Sequence, residues 1–114
     1  MANEKIGAQV RFLFNSGFIV KTGGRLLIFD YYNPTPMQKS GGLDKGIITP
    51  EELRGQAVTV FASHAHMDHY NEAVLTWEKT LPDIRYVLSS DIKPMKAPAH
   101  LISVEPNETY ETDG

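Results

Sequence analysis

Three of the four histidines in this 114-residue chain fall within six residues, in the stretch FASHAHMDHY: His64, His66 and His69, with Asp68 just before the last. Residues two apart on an extended segment project to the same side, so His64 and His66 can aim two imidazole nitrogens at one ion. Asp68 and His69 follow where the chain turns, and they face a neighbouring volume in which they can serve a second ion. Two ions roughly 3.5 to 4 Å apart can polarise a substrate oxygen and generate hydroxide near neutral pH. Neutral imidazole and carboxylate are ligands that zinc, manganese and iron accept without thiolate. The chain has no cysteine, so nitrogen and oxygen are all it can offer a metal. A run of solvated or hydrogen-bonded histidines is the rival reading, and the spacing fits it poorly. Asp68 could instead be a helix N-cap, but Asn71 stands at a better position for that. Asp30 divides between a strand-end turn residue and a carboxylate that orients a ligating histidine. His100, in the Pro-rich stretch KAPAHL, reads as a plain loop histidine.

These residues need a rigid launching point, and the text before them supplies one. AVTVFAS is β-branched and nearly continuously apolar, the pattern of a buried strand. Earlier, VRFLF alternates Val10, Phe12 and Phe14 against Arg11 and Leu13, which predicts a strand with one face buried. FIVKT and RLLIFD flank Gly23-Gly24, a two-residue turn of the kind that closes a hairpin. Residues 31–50 carry Pro34, Pro36, Gly41, Gly42 and Gly46, which interrupt every periodic run and predict a long loop. Thr49, Pro50 and Glu52 then form the cap, first position and capping-box acid of a short helix that should end near Gly55. After the histidines, Ala73, Val74 and Trp77 recur at helical spacing, and Pro82 ends that helix. IRYVLSS and LISV read as two further strands. The order, three strands, loop, helix, strand, helix and two strands, predicts an α/β (α+β) domain with a mixed sheet and helices on an outer face.

Composition sets the remaining limits. With 41% hydrophobic residues the chain can bury a modest core. A net charge of −3 and the lack of any basic run disfavour nucleic acid, because phosphate contacts need Lys and Arg. Lys93 and Lys96 read as solvated loop residues. No apolar run approaches a membrane span and no signal-peptide core opens the chain, so the expected location is the cytoplasm. KTGGR lacks the spacing of a phosphate-binding loop.

The sequence His64-Ala65-His66-Met67-Asp68-His69, placed after an apolar strand and before a helix, resembles the H-x-H-x-D-H signature of the metallo-β-lactamase-fold hydrolases. LLIFD, ending on Asp30, is similar to that family's first strands, and the likeness runs along the whole chain. The resemblance implies that residues 1–114 are the N-terminal half of an αββα sandwich whose second half is absent. It implies His64 and His66 on a first metal, Asp68 and His69 on a second, and Asp68 as the catalytic carboxylate. The metals implied are two zinc ions per complete domain, with Mn2+ or Fe2+ as substitutes. The activity implied is attack by metal-bound hydroxide on an ester, lactone, thioester, amide or phosphodiester in a small-molecule substrate. Alternatives are a non-catalytic metal-binding protein and a nucleic-acid-processing member of the same superfamily. Family members carry three further ligands downstream. On this reading the 114 residues alone are catalytically silent, bind metal weakly and self-associate.

Overall fold

The computed structural model describes residues 7–13, 16–32, 46–66, 69–94, 96–109 and 111. Its first feature follows from two glycines. Gly23 and Gly24 both take positive φ, +55° and +80°, as the two-residue turn that matches the twist of a hairpin requires. They join β2 (Phe18–Thr22) to β3 (Arg25–Phe29), with Thr22 opposite Arg25. β1 (Ala8–Phe12) pairs antiparallel with β2, and the Leu13 N–H closes the link by donating to the Gly17 carbonyl at 2.8 Å.

From β3 onward the sheet is parallel. β4 (Ala57–Ala62), β5 (Ile84–Ser89) and β6 (Leu101–Val104) follow in sequence order, giving a six-stranded mixed sheet ordered β1-β2-β3-β4-β5-β6. The expected mixed sheet of an α+β domain is thus present. Its parallel strands bury one face each: Leu26 and Ile28 of β3, Val58, Val60 and Ala62 of β4, and Ile84, Tyr86 and Leu88 of β5 are all inside. Leu53, Val74, Trp77 and Leu81, from the crossovers between these strands, belong to the same core cluster and cover that face.

The crossover helices are 3-10 rather than α. The first is Pro50–Leu53, begun by the predicted cap: the Thr49 N–H donates to the Glu52 carboxylate at 3.4 Å, and Gly55 follows with φ +85°. The second spans Glu72–Lys79, and Asn71 caps it by accepting from the Ala73 N–H at 2.9 Å. Side chains three apart eclipse in a 3-10 helix. Hence Val74 and Trp77 share the buried side while Ala73 faces solvent, a period of three where the sequence predicted the α period. The Thr76 hydroxyl donates to the Ala73 carbonyl at 2.7 Å and competes with main-chain donors for that acceptor.

The sheet departs from the sequence-based expectation at β1. Val10 and Phe12 are each 67% exposed, so the face predicted to be buried is open; Phe14 lies outside the described residues. Alternation fixes which side chains share a face, but a face is buried only if another layer covers it, and the described helices cover the opposite one. Of the predicted loop at residues 31–50, only its two ends are described. They are tied together by the Tyr31 hydroxyl, which accepts the Ile48 N–H at 3.1 Å inside the core. No helix among the described residues is long and apolar enough to cross a membrane.

Candidate metal centre

Parallel pairing brings the carboxyl ends of β3, β4 and β5 to one edge of the sheet. Asp30 leaves β3 there, Ser63 to His66 leave β4, and Ser90 and Asp91 leave β5. Crevices outside the carboxyl ends of parallel strands are where open α/β sheets bind ligands.

Asp30 organises this edge. Its φ of +47° is a left-handed conformation that Asp tolerates better than most residues. The carboxylate accepts the Ser63 N–H at 2.7 Å and the Ser63 hydroxyl at 2.6 Å, and reaches Nδ1 of His69 at 3.1 Å. The His69 and Asp30 side chains are only 22% and 16% exposed, so the contact is shielded from water. Ser63 Oγ in turn lies 2.8 Å from Nδ1 of His64. One carboxylate therefore sets the lie of one imidazole directly and of another through a hydroxyl. Proteins orient ligating histidines by contacts of this kind; Asp30 both ends its strand and fixes these two imidazoles.

The three imidazoles gather. Ring centroids are 4.8 Å apart for His64 and His69 and 6.0 Å for His64 and His66. Imidazoles sharing one tetrahedral ion at Zn–N distances near 2.0–2.1 Å place their centroids roughly 5 Å apart. Among the described residues, however, no three His, Asp or Glu side chains close into a metal-holding group. Asp68, the remaining predicted ligand, lies outside the described residues. His100 precedes β6 at the opposite end of the strands, where its carbonyl accepts the Tyr86 N–H at 2.9 Å, so it takes no part. Lys93 and Lys96 are exposed.

The sequence reading missed Asp91. Its carboxylate accepts the Ala65 N–H at 3.1 Å and so holds the His64–His66 turn from the β5 side as Asp30 holds it from β3. A hydrogen bond from the Ser89 side chain, the Ala65 N–H and the nearby His64 keep the Asp91 carboxyl below the usual range. The available signal was SSD, directly after a strand that parallel order sets beside β4. Beside the cluster runs an open cavity of about 740 Å3, floored by Phe18, Phe29, Phe61 and Val87 and edged by His64 and by Asp30, Asp91 and Glu105, with no Lys or Arg among the described residues that line it. Tyr70, next to His69, has a buried hydroxyl without a hydrogen-bond partner among the described residues, and burial pushes its pKa up to about 12. In comparisons with known proteins the chain matches no family model and no curated sequence.

Proposed function

We propose that this chain carries the metal-binding part of a metal-dependent hydrolase of the metallo-β-lactamase fold, acting on a small molecule. The observation that supports the reading best is the convergence of His64, His66 and His69 at the carboxyl end of β4, with a carboxylate from each neighbouring strand holding their segment. The donor set fits zinc, or Mn2+ or Fe2+, because it consists of imidazoles backed by hydrogen-bonded carboxylates and contains no thiolate. His64 and His66 would hold one ion, and His69 with Asp68 a second. When bound, such ions acidify water and polarise a carbonyl or phosphoryl oxygen. The chain's own part is to fix the imidazoles: Asp30 positions His69 and, through Ser63, His64, while Asp91 pins the turn between them.

The cavity narrows the substrate. Its apolar floor and acidic edge repel a phosphodiester and accept a neutral ester, lactone or thioester with an apolar arm. This weighs against the nucleic-acid-processing alternative. Four residues offer two ions about two ligands each, whereas a catalytic zinc takes about three, so turnover requires ligands beyond these four. Zinc calorimetry on the purified chain tests the metal reading. Binding that His64→Ala with His66→Ala weakens at least tenfold supports it; a chain that binds no zinc, or binds it equally well after both substitutions, overturns it.

A further inference from the structure

A second cavity, about 350 Å3, opens on the helix-covered face of the sheet, at the amino end of β3 and away from the histidines. Its origin is a short helix. Pro50–Leu53 is a single turn, about 8 Å long at roughly 2 Å per residue. β1 lies two strand spacings, roughly 10 Å, beyond β3, so the described helix that covers β3 and β4 stops short of it. Ile19, Leu26 and Leu53, each no more than 5% exposed, line the bottom. Arg11 and Lys21 stand at the mouth. Register sets Lys21 opposite Gln9 and Arg11 opposite Ile19, so the two cations are diagonal neighbours on one face. Such neighbours lie roughly 7–8 Å apart, a span that long side chains bridge. Both are exposed, and neither pairs with a carboxylate among the described residues. Glu52 also lines the cavity, and its carboxylate accepts the Thr49 N–H.

We propose that this cavity binds a small monocarboxylate with an apolar body. Its volume falls within the range of small-molecule sites, which begins at about 300 Å3. Charge selects the head group. Two unpaired like charges side by side repel each other, and an anion held between them removes that repulsion. The planar fork of Arg11 matches the two oxygens of a carboxylate, and Lys21 adds a point charge. Glu52 sets the valence: two cations against one carboxylate leave a single positive charge, which suits a monoanion better than a dicarboxylate or a phosphate dianion. The floor selects the rest, because Ile19, Leu26 and Leu53 offer an apolar body a surface out of water. The proposal stands apart from the metal reading, since the cavity lies at the other end of β3 from Asp30 and contains no proposed ligand.

A magnetic resonance titration of the metal-free chain with 4-phenylbutyrate tests it, metal being left out so that the carboxylate has no zinc to bind. Saturable shifts at residues 9–11 and 19–21, with a Kd of about 1 mM or tighter, are expected. The neutral 4-phenylbutanamide should bind about tenfold more weakly. Arg11→Gln and Lys21→Gln should each weaken binding by about threefold or more, whereas Lys79→Gln, an exposed charge outside the cavity, should leave it within about twofold. Trp77, buried in the core, reports the fold by its emission. If a Gln variant shifts that emission, Arg11→Met or Lys21→Met, which keeps the apolar stem without the charge, takes its place with the same expected loss. No saturable shift up to about 10 mM overturns the proposal, as do shifts centred on Phe18 and Phe61 across the sheet. So does an amide that binds as tightly as the acid, tighter binding of inorganic phosphate, or an equal loss in Lys79→Gln and Arg11→Gln, which would mean diffuse charge attraction.

Discussion

Asp30→Ala separates the two roles of Asp30 by magnitude. The carboxylate receives two hydrogen bonds from Ser63 and one contact from His69. A hydrogen bond to a charged group contributes about 1.5–3 kcal/mol when shielded. Ser63 is exposed, so water replaces its two bonds at small loss, and only the His69 contact keeps its full weight. To this the φ of +47° adds strain, because Ala loses roughly 1 kcal/mol more than Asp in the left-handed region. The expected destabilisation by Asp30→Ala is therefore about 2.5–4 kcal/mol. Asp30→Asn tolerates the same φ and keeps an acceptor for the Ser63 N–H, so it escapes the strain and should lose only the His69 contact, about 1.5–3 kcal/mol. Zinc affinity should follow a different order: both variants lose the carboxylate that faces His69, and both should bind about 10–100-fold more weakly. Urea unfolding of the metal-free protein beside zinc calorimetry reads the two effects separately. Wild-type zinc affinity in Asp30→Asn would refute the orienting role, and equal stability of Asp30→Ala and wild type would refute the strain argument.

Other expectations concern the core and the metal. Tyr86→Phe removes the hydroxyl that donates to the Val74 carbonyl at 2.5 Å, and should lower stability by about 1 kcal/mol in urea unfolding without changing zinc affinity. Tyr31→Phe strands the buried Ile48 N–H, and should lower stability by about 1–3 kcal/mol, read in the same way. Burial raises the pKa of both tyrosines, which means that the fold favours their neutral forms. Their contribution is then fully present below about pH 10, the unfolded value, and is lost as pH rises above it; absorbance at 295 nm should show their ionisation coinciding with alkaline unfolding. Asp68→Ala should reduce zinc stoichiometry while costing no more stability than a lost N-cap, about 0.5–2 kcal/mol.

Much of the fold was legible because it is local. Gly23-Gly24 carries its turn in its own torsions, Asn71 and Glu52 make the predicted caps, and the strands of AVTVFAS and IRYVLSS appear where their composition places them. The likeness that pointed to His64, His66 and His69 was equally local, a six-residue word. What stayed hidden depends on distant partners. The exposure of Val10 and Phe12 is set by which face the crossovers cover, which alternation within β1 cannot encode. The 3-10 winding of Glu72–Lys79 fixes a three-residue period in a stretch too short for hydrophobic spacing to distinguish it from the α period. Asp91 enters the site only because β5 lies parallel to β4, bringing together residues 26 apart in sequence.

That last dependence explains why the cluster sits on β4 rather than on an edge strand. A turn carrying three imidazoles has no regular hydrogen bonding of its own to hold it, and the described segment forms few: the His69 and Tyr70 N–H groups both donate to the His66 carbonyl at 2.9 Å. Its geometry must come from outside, and a central parallel strand is flanked on both sides by strands that end at the same level. β3 supplies Asp30 and β5 supplies Asp91, each accepting a main-chain N–H from the turn, at Ser63 and Ala65 respectively. The two carboxylates clamp the segment at alternate residues, the spacing at which His64 and His66 project to one side. On β1 or β6 one clamp would be missing, and the imidazoles would lose the preorganisation that ligand binding rewards. The same carboxylates place negative charge beside the histidines, a field that favours a cation there over an anion.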